Sequence, residues 1–429
     1  MAGREHAWMT LTANPIDKCS PIRISLTPHS KWCYSVGASS LYSLGGEMRR
    51  MTLLSTAAAL GLTAALAIGL TAARQPASPV PDLPSGKVQL LSAGSLAFGP
   101  DGVLFVGDSV GGSIVAIDTQ DSKAIASAPK VNISGIDQKI AALVGVTPDQ
   151  IVINDVKVNP VSKNVYLSGA RGHGPDAMPL IVRIDAAGKI ATLPLDNARH
   201  ASVSLVDAPE SKTAGRNPRM LTITDMAYVN GNLLVAGLSN EEWSSSLRSI
   251  PYPFKAAEKG ATLQIWHASH GQYETAAPVR TFVPYTISGQ QVILAAYTCT
   301  PLVKIPLSDL KPGAKVKGVT IADLGSGNQP IDMVPYKKDG HNYILVANSS
   351  LGMMKLKADN IESYPPIDSP TVTDVAGVPF DKLSSLQGVQ HVTQLDDSDA
   401  LLLTGKFTGP SYAPGAPAGP LNLQTIALP

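Results

Sequence analysis

Three aspartates occupy the same place in segments that repeat along the sequence, and their chemistry suits a metal ion. Asp155, Asp225 and Asp332 each begin a short segment in which apolar and polar residues alternate, and Asn348 ends one such segment. Carboxylate and amide oxygens are ligands of Ca²⁺, which tolerates irregular coordination geometry. If these side chains converge, Asp155, Asp225, Asp332 and Asn348 are the predicted ligands, and Ca²⁺ is the cofactor that these four residues suggest.

The same segments offer further polar side chains for a ligand. His391 begins the last copy and Lys406 follows the second strand of that copy, while Asp108 follows the second strand of the first copy. Two interpretations stay open. In the first, these side chains line a site for a metal or a polar ligand. In the second, the aspartates accept hydrogen bonds from nearby backbone N–H groups and are structural.

A hairpin pattern that occurs six times must position these residues. Each copy has a short alternating strand, a polar turn and a second apolar strand, and Asn230-Gly231 is a strong turn signal between two of them. The predicted copies start at Ser95, Asp155, Asp225, Thr286, Asp332 and His391. Several continue into a third strand, such as residues 262–266. Repeated units of this kind are typical of a propeller. The sequence therefore predicts an all-β, six-bladed β-propeller over residues 86–429, with the segment starts on one face of the central tunnel.

Ring closure and two interruptions complete the predicted architecture. Residues 88–91 and 423–427 lack partners in their own copies, so we expect them to pair and close the ring. Residues 137–146 have helical spacing of apolar side chains. Residues 239–260 depart from the pattern and contain Trp243, and long loops of this kind often bind ligands. Trp243 is therefore a candidate ligand contact.

Two histidine motifs have other places in this architecture. His173 lies just beyond the second strand of the second copy, and we expect it to overhang the tunnel mouth and contact a ligand. His267, His270 and Glu274 have a spacing that occurs in zinc sites. However, Trp266 ends a predicted strand, so a solvated turn at the outer rim is the favoured interpretation of the second motif.

Two further motifs carry little chemistry. Ser109 lies in a Gly-x-Ser-x-Gly run, but a nucleophile elbow needs a helix after the serine and a strand follows here. Cys299 stands where other copies have small or polar residues, and a lone buried cysteine is usually an apolar filler. Binding of a soft metal such as copper is the alternative for Cys299.

The first copy carries a resemblance to known propellers. Residues 95–118, with the run Phe-Gly-Pro-Asp-Gly-Val-Leu-Phe-Val-Gly-Asp, resemble a blade of bacterial exported propellers of the YVTN, NHL and SMP-30/gluconolactonase kind. The resemblance implies the fold of residues 86–429. It implies no single reaction, because such blades occur in enzymes and in binding proteins. In the SMP-30-like enzymes a tunnel ion held by carboxylates and amides assists lactone hydrolysis, and only the blade positions match here.

Three functions follow from these residues. The first is an exported propeller that binds a small molecule, an ion or a protein partner at its tunnel face. The second is a Ca²⁺-assisted, lactonase-like hydrolase that uses Asp155, Asp225, Asp332 and Asn348, with His391 or His173 as its base. The third is a quinone- or copper-linked oxidoreductase that depends on Cys299 and His391. The sequence leaves open whether the protein is an enzyme.

The N-terminal region and the composition limit where the protein works and with what. Residues 48–73 combine Arg49-Arg50, a long apolar run and small residues before Arg74, as in a signal peptide for periplasmic or secreted proteins. An uncleaved membrane anchor is the alternative. Residues 1–47 are interpreted as a disordered upstream extension that is not native, and residues 74–85 as a Pro/Ser-rich linker. A formal net charge of +1 does not favour nucleic acid as a partner. We also expect the protein to be a monomer.

Overall fold

A computed structural model describes residues 83–213, 215–298, 301–325, 327–370, 375–406 and 418–429. All described residues belong to one compact unit. The predicted upstream extension, the signal segment, most of the linker and Cys299 lie outside the described residues. In the part of the chain that is described, no helix is long and apolar enough to cross a membrane.

Short strands dominate the described residues. In chain order they are β1 (Ser85–Gly86), β2 (Leu96–Phe98), β3 (Val103–Asp108), β4 (Ser113–Asp118), β5 (Asn132–Ile133), β6 (Ile151–Val158), β7 (Val165–Arg171), β8 (Met178–Ile184), β9 (Ile190–Thr192), β10 (Ala198–Ser204), β11 (Asp225–Val229), β12 (Asn232–Leu238), β13 (Ser245–Pro251), β14 (Ala261–His267), β15 (Gln272–Glu274), β16 (Val279–Ile287), β17 (Gln290–Tyr297), β18 (Pro301–Pro306), β19 (Lys315–Lys317), β20 (Val319–Leu324), β21 (Pro330–Lys338), β22 (His341–Asn348), β23 (Gly352–Lys357), β24 (Val375–Gly377), β25 (Phe380–Leu383), β26 (Val389–Gln394), β27 (Asp399–Thr404) and β28 (Asn422–Ala427). One α-helix, α1 (Ile136–Val144), and short 3₁₀ turns connect them.

Six sheets, here called blades I to VI, form from these strands. Blade I has the order β2-β3-β4-β10-β1, and blade II has β6-β7-β8-β9. Blade III has β11-β12-β13-β14-β15 with β19 beside β14, and blade IV has β16-β17-β18-β20-β24. Blade V has β21-β22-β23-β25, and blade VI has β26-β27-β28-β5.

The first strands of the blades surround a common axis. β2 contacts β6 and β11, β16 contacts β11 and β21, and β26 contacts β21 and β6. Six clusters of buried apolar side chains lie between neighbouring blades, one at each interface of the ring. This burial of both faces of every sheet is the main stabilising contribution in such a fold. The chain is a six-bladed β-propeller, as the sequence predicts.

Blades I and II have exchanged places relative to their order in the chain. Around the ring the order is II, I, III, IV, V and VI. After β4 the chain leaves blade I, adds β5 to the edge of blade VI and then builds α1 and blade II. It returns to supply β10, the fourth strand of blade I, before it enters blade III. The sequence does not predict this exchange.

The ring closes, but the segment that pairs with the C-terminal strand is not the predicted one. The C-terminal strand β28 pairs with β5, with Leu423 opposite Ile133. Residues 88–91 form no strand, and the Val88 N–H donates to the Leu195 carbonyl instead. The predicted pairing of residues 88–91 with 423–427 is therefore wrong, because the crossover after blade I reaches the edge of blade VI first.

Buried aspartates anchor both crossovers. On the first crossover, Asp121 accepts hydrogen bonds from Ser162 Oγ, Asn164 Nδ2 and Tyr166 Oη of blade II, at 2.8 to 3.0 Å. On the return crossover, which joins β10 to β11, Asp207 Oδ1 lies 2.7 Å from Arg248 Nε of β13, and both side chains are 1% exposed. A fully buried ion pair of this kind is costly to break, because either partner alone is an uncompensated charge.

The second predicted interruption is part of a blade. Residues 239–260 contain β13, the third strand of blade III, so residues 262–266 lie in the fourth strand, β14. The prediction of one long loop is wrong because Arg248, which is buried against Asp207, obscures the apolar pattern. The first interruption is confirmed as helix α1, and Asn230-Gly231 forms the predicted turn, with φ of 50° and 82°.

Candidate functional site

A repeated irregularity of the inner strands positions the central polar side chains. In blades II, IV, V and VI the pairing of the first two strands shifts register just before Asp155, Thr281, Asp332 and His391. Such bulges re-aim the side chains beside them. Thr281, and not the predicted Thr286, has the equivalent place in blade IV. The predicted start of that copy is wrong because β16 begins earlier than its alternating pattern indicates.

Four side chains meet at the tunnel, and we call Asp155, Lys157, Asp332 and His391 the tunnel cluster. Lys157 Nζ lies 3.2 Å from Asp155 Oδ1 and 3.5 Å from Asp332 Oδ1. His391 Nδ1 lies 2.8 Å from Asp332 Oδ2 and 3.8 Å from Asp155 Oδ1. Asp155 and Asp332 are buried. A lysine ammonium thus lies between the two carboxylates.

The electrostatics of the tunnel cluster favour charged partners. Burial lowers the pKa of Lys157, but Asp155, Asp332 and Asp225 outweigh burial and raise that pKa above its usual value. Burial raises the pKa of Asp332, and Lys157 and His391 overcome this effect and hold it below the usual value. Burial lowers the pKa of His391, yet Asp332 brings it above the usual value. The tunnel cluster is therefore a network of ion pairs.

The three aspartates also join neighbouring blades through backbone N–H groups. Asp155 Oδ2 accepts from Leu96 N of blade I at 2.7 Å, and Asp332 Oδ2 accepts from Val392 N of blade VI at 3.1 Å. Asp225 Oδ2 accepts from Phe282 N of blade IV at 2.9 Å. These contacts link blade II to I, V to VI and III to IV. They match the structural interpretation of the aspartates.

Asp225 has a different environment from the other two aspartates. Its Oδ1 accepts from Met226 N at 2.8 Å and its Oδ2 accepts from Thr281 Oγ1 at 2.9 Å. Burial raises the pKa of Asp225 to about 6. The ligand atoms of Asp155, Asp332 and His391 lie within 4.8 Å of one another, and Asp225 is not part of that group.

Asp108 and Asn348 use their oxygens in turns between second and third strands. The Asp108 carboxylate accepts from Leu91 N, Ser92 N and Gly111 N, each at 2.8 Å. Asn348 Oδ1 accepts from the backbone N–H groups of residues 350 and 351, and its Nδ2 donates to Asn328 Oδ1. The structure does not bring Asn348 together with the carboxylates of the tunnel cluster.

The remaining predicted contacts are dispersed. Trp243 lies in the β12–β13 connection of blade III, where Lys315 Nζ is 5.1 Å from its ring centroid. Lys406 is exposed beyond β27, and its carbonyl accepts from Ala418 N. His173 lies beyond β7, and its Nε2 is 2.6 Å from the Asp149 carbonyl oxygen. Ser109 Oγ contacts the backbone of Ile223.

His173 also lines a cavity at the face where the inner strands begin, which we call the mouth cavity. It has a volume of about 520 Å³ and lies between blades I and II and the return crossover. Leu91, Val110, Val152 and Met220 contribute apolar surface, and Arg219 joins His173 among the polar lining residues. Leu91 and Met220 are 65% and 54% exposed, so this apolar surface is open to solvent.

Comparisons with known proteins give similarity in fold only. No family model matches the sequence, and no curated protein matches it. Solved structures that match include the PQQ-bound form of aldose sugar dehydrogenase from Streptomyces coelicolor, at 13% identity and a TM-score of 0.29, covering 80% of this chain and 96% of that one. The soluble aldose sugar dehydrogenase from Escherichia coli matches at 12% identity and a TM-score of 0.31, covering 80% and 98%. Virginiamycin B lyase from Staphylococcus aureus matches at 10% and 0.25, covering 76% and 84%. These values carry no argument about activity.

Sequence reasoning missed the residues that decide the character of both sites. Lys157 follows Asp155 by two positions, and residues i and i+2 of a strand lie on the same side, so the sequence did contain this signal. Thr281 and Arg219 have no such signal. Thr281 depends on a bulge, and Arg219 depends on the return crossover, which the sequence does not predict.

Proposed function

We propose that this protein is an exported binding propeller whose mouth cavity takes a small molecule with an apolar body and an anionic group. The observation that carries the proposal is the mouth cavity itself, with its volume of about 520 Å³ and its lining of apolar side chains beside Arg219. Ligand sites in proteins are commonly concave and largely apolar, with a few polar groups that orient the ligand.

The charge of the mouth cavity supports an anionic group on the ligand. Among the described residues that line it, Arg219 and His173 are basic and none is Asp or Glu. Arg219 Nε and Nη1 donate to the carbonyls of Val110 and Pro209, which fixes the guanidinium at the cavity wall. Arg216 precedes the lining residue Asn217 in the chain and adds a further cation to this segment. Clustered cations of this kind attract an anion.

The tunnel cluster gives less support to metal-assisted hydrolysis. A divalent ion at the carboxylates of Asp155 and Asp332 would have to displace the ammonium of Lys157, which already contacts both. The oxygens of Asp155 and Asp332 also accept backbone hydrogen bonds that join blades. We therefore assign the tunnel cluster a structural role and the mouth cavity the binding role.

Two dyes of matched shape test the proposal. We expect the full-length protein to bind the anion 8-anilinonaphthalene-1-sulfonate more tightly than its neutral analogue N-phenyl-1-naphthylamine. Met220→Asp places a negative charge at the exposed cavity wall. It should weaken the sulfonate at least about tenfold, and the neutral dye less, because only the sulfonate is repelled. Fluorescence titration measures both affinities.

Leu143→Asp is the matched control for this experiment. Leu143 is 45% exposed on α1, outside the cavity, so the same new charge there should leave both affinities unchanged. Equal effects of Met220→Asp and Leu143→Asp, or no effect of Met220→Asp on either dye, would reject the mouth cavity as the binding site.

Export is the second part of the proposal, and the pattern of residues 48–73 supports it. Expressed in a bacterial host, the protein should be recovered from the periplasm or the medium. Sequencing of its N-terminus should give Arg74 as the first residue. Recovery of the intact N-terminus in the membrane fraction would instead indicate an anchor.

A further inference from the structure

A hairpin at the outer part of blade III brings two histidines and a glutamate together. We call His267, His270 and Glu274 the rim cluster. His267 ends β14 and Glu274 ends β15, with His267 opposite Gln272 in the register. His267 Nδ1 lies 2.8 Å from Glu274 Oε2, and His270 Nδ1 lies 2.6 Å from Glu274 Oε1. The three ligand atoms lie within 4.8 Å of one another.

Several contacts hold the rim cluster in place, although residues 269–273 of its turn are exposed to solvent. His267 is 1% exposed, and the two imidazole rings lie 3.8 Å apart at their centroids. The turn between the strands is closed by a bond from His270 N to the His267 carbonyl. Ser269 N donates to the buried Asp323 of blade IV. The predicted solvated turn is wrong for His267, which is buried, whereas residues 269–273 of the turn are exposed as predicted.

The inner nitrogen of His267 has no donor that opposes a change of tautomer on metal binding, although the change leaves a buried N–H without an acceptor among the described residues. His267 Nε2 is buried and has no hydrogen-bond partner among the described residues. In the present arrangement, Nδ1–H donates to Glu274. Moving that proton to Nε2 breaks no other hydrogen bond and exposes the Nδ1 lone pair beside the carboxylate. His270 is about half exposed, so water can satisfy its Nε2–H after the same change.

The rim cluster lacks a fixed positive charge among the described residues. The Glu274 carboxylate accepts hydrogen bonds from the Nδ1 atoms of both imidazoles, at 2.8 Å from His267 and 2.6 Å from His270. In the described part of the chain, its ion-pair partners are these two imidazoles, and no lysine or arginine reaches it. The Glu274 side chain is 16% exposed and has no lysine or arginine beside it in the described part of the chain, and an anion that is partly buried without a fixed cation is costly.

We propose that the rim cluster is a binding site for a divalent transition-metal ion of the Zn²⁺ class, with His267 Nδ1, His270 Nδ1 and the Glu274 carboxylate as its ligands. Imidazole and carboxylate are ligands that Zn²⁺ accepts, at bond lengths of about 2.0 to 2.2 Å. Tetrahedral bonds of this length place neighbouring ligand atoms roughly 3.3 to 3.6 Å apart, so the two contacts with Glu274, now 2.8 and 2.6 Å, have to lengthen by about 1 Å or less. The ion supplies the missing positive charge and joins β14 to β15.

Zn²⁺ titration by calorimetry on the full-length, EDTA-treated protein tests this site. We expect one Zn²⁺ per chain. His270→Ala removes an exposed ligand and Glu274→Gln removes the charge with little change of shape. Each should weaken binding at least about tenfold, as is usual when a metal site loses a ligand or its support.

His341→Ala is the matched control. His341 Nδ1 lies 2.6 Å from Asp359 Oδ2 in an exposed pair that lacks a third ligand, so its loss should leave the Zn²⁺ affinity unchanged. Circular dichroism verifies that each variant is folded, and Co²⁺ absorption in the visible range gives a second readout of imidazole ligation. Absence of stoichiometric Zn²⁺ in the wild type would overturn the proposal. Equal affinities in wild type, His270→Ala and Glu274→Gln would overturn it too.

Discussion

The tunnel cluster and the rim cluster both combine carboxylates with histidines, but only the tunnel cluster also contains a lysine. At the tunnel, two aspartates and a histidine surround Lys157, whose ammonium contacts both carboxylates. At the rim, one glutamate and two histidines have no such cation among the described residues. The comparison teaches that a group of acids and histidines predicts a metal site only when the chain itself does not supply the positive charge.

The carboxylates of the two clusters also differ in their hydrogen-bond partners. Asp155 and Asp332 accept backbone hydrogen bonds from neighbouring blades. The Glu274 oxygens contact side chains of their own hairpin. A change at the tunnel therefore disturbs contacts between blades, whereas a change at the rim disturbs one turn. Three substitutions measure this difference.

Lys157→Met should have the largest effect. It leaves two buried carboxylates facing each other without their cation, and breaking a buried pair in this way costs about 3 to 5 kcal/mol. Urea denaturation measures the free energy of unfolding. Lys130→Met is the control, because Lys130 is 68% exposed and 4.0 Å from Asp399, and such pairs contribute about 0 to 1 kcal/mol. If Lys157→Met lowers the free energy of unfolding by less than about 1 kcal/mol, Lys157 contributes no more than an exposed ion pair does.

A change of pH should alter the free energy of unfolding by less than Lys157→Met does and by more than Glu274→Gln does. The pKa of Asp225 is about 6 in the fold and 3.8 in the unfolded chain, so the folded protein holds this proton more tightly. Its contribution is fully present below pH 3.8 and is lost as pH rises through about 6. His391 acts in the same direction, because its pKa is also raised above its usual value of 6.5. Asp332, whose pKa is lowered, loses its contribution only below pH 3.8.

Stability should therefore rise as the pH falls from 7.5 to 5, with about 1.4 kcal/mol of the rise from Asp225. Asp225→Asn removes this titration, so its unfolding free energy should change correspondingly less over the same range. Urea midpoints at several pH values measure the slope. An identical pH profile in the wild type and in Asp225→Asn would show that Asp225 titrates in the fold as it does in the unfolded chain.

Glu274→Gln in metal-free buffer should have the smallest effect. It removes a carboxylate whose ion-pair partners among the described residues are two imidazoles and no lysine or arginine, so no buried lysine or arginine loses its partner. The loss of a hydrogen bond to one imidazole should cost about 1 kcal/mol or less. Urea denaturation with EDTA measures it. A loss as large as that of Lys157→Met would mean that the rim, too, contains a built-in ion pair.

The sequence predicts the blades well because local sequence patterns specify the hairpins of each blade. Alternation within strands and the turn at Asn230-Gly231 specify a hairpin without reference to the rest of the chain. The exchange of blades I and II has no local signature. It depends on Asp121 and Asp207, which bind side chains and backbone of blades far along the chain. A polar residue in a connecting segment does not reveal such a partner.

The candidate sites were predictable to different degrees. Asp155, Asp332 and His391 come together from matching places in three copies, as the repeat predicts. Asn348 does not join them, because a turn uses its amide. Lys157 could have been predicted from its spacing to Asp155. The burial of His267 could not, because it depends on a strand of blade IV packing against the hairpin.

Metal analysis of the wild-type protein after exposure to equal concentrations of Ca²⁺ and Zn²⁺, followed by desalting, tests the central claim most directly. If Lys157 fills the cation position at the tunnel and the rim lacks a cation, the protein should retain one Zn²⁺ and no Ca²⁺. His270→Ala should then retain neither. One Ca²⁺ per chain that persists in His270→Ala would contradict the account, because it would place a metal among the tunnel carboxylates in spite of the lysine.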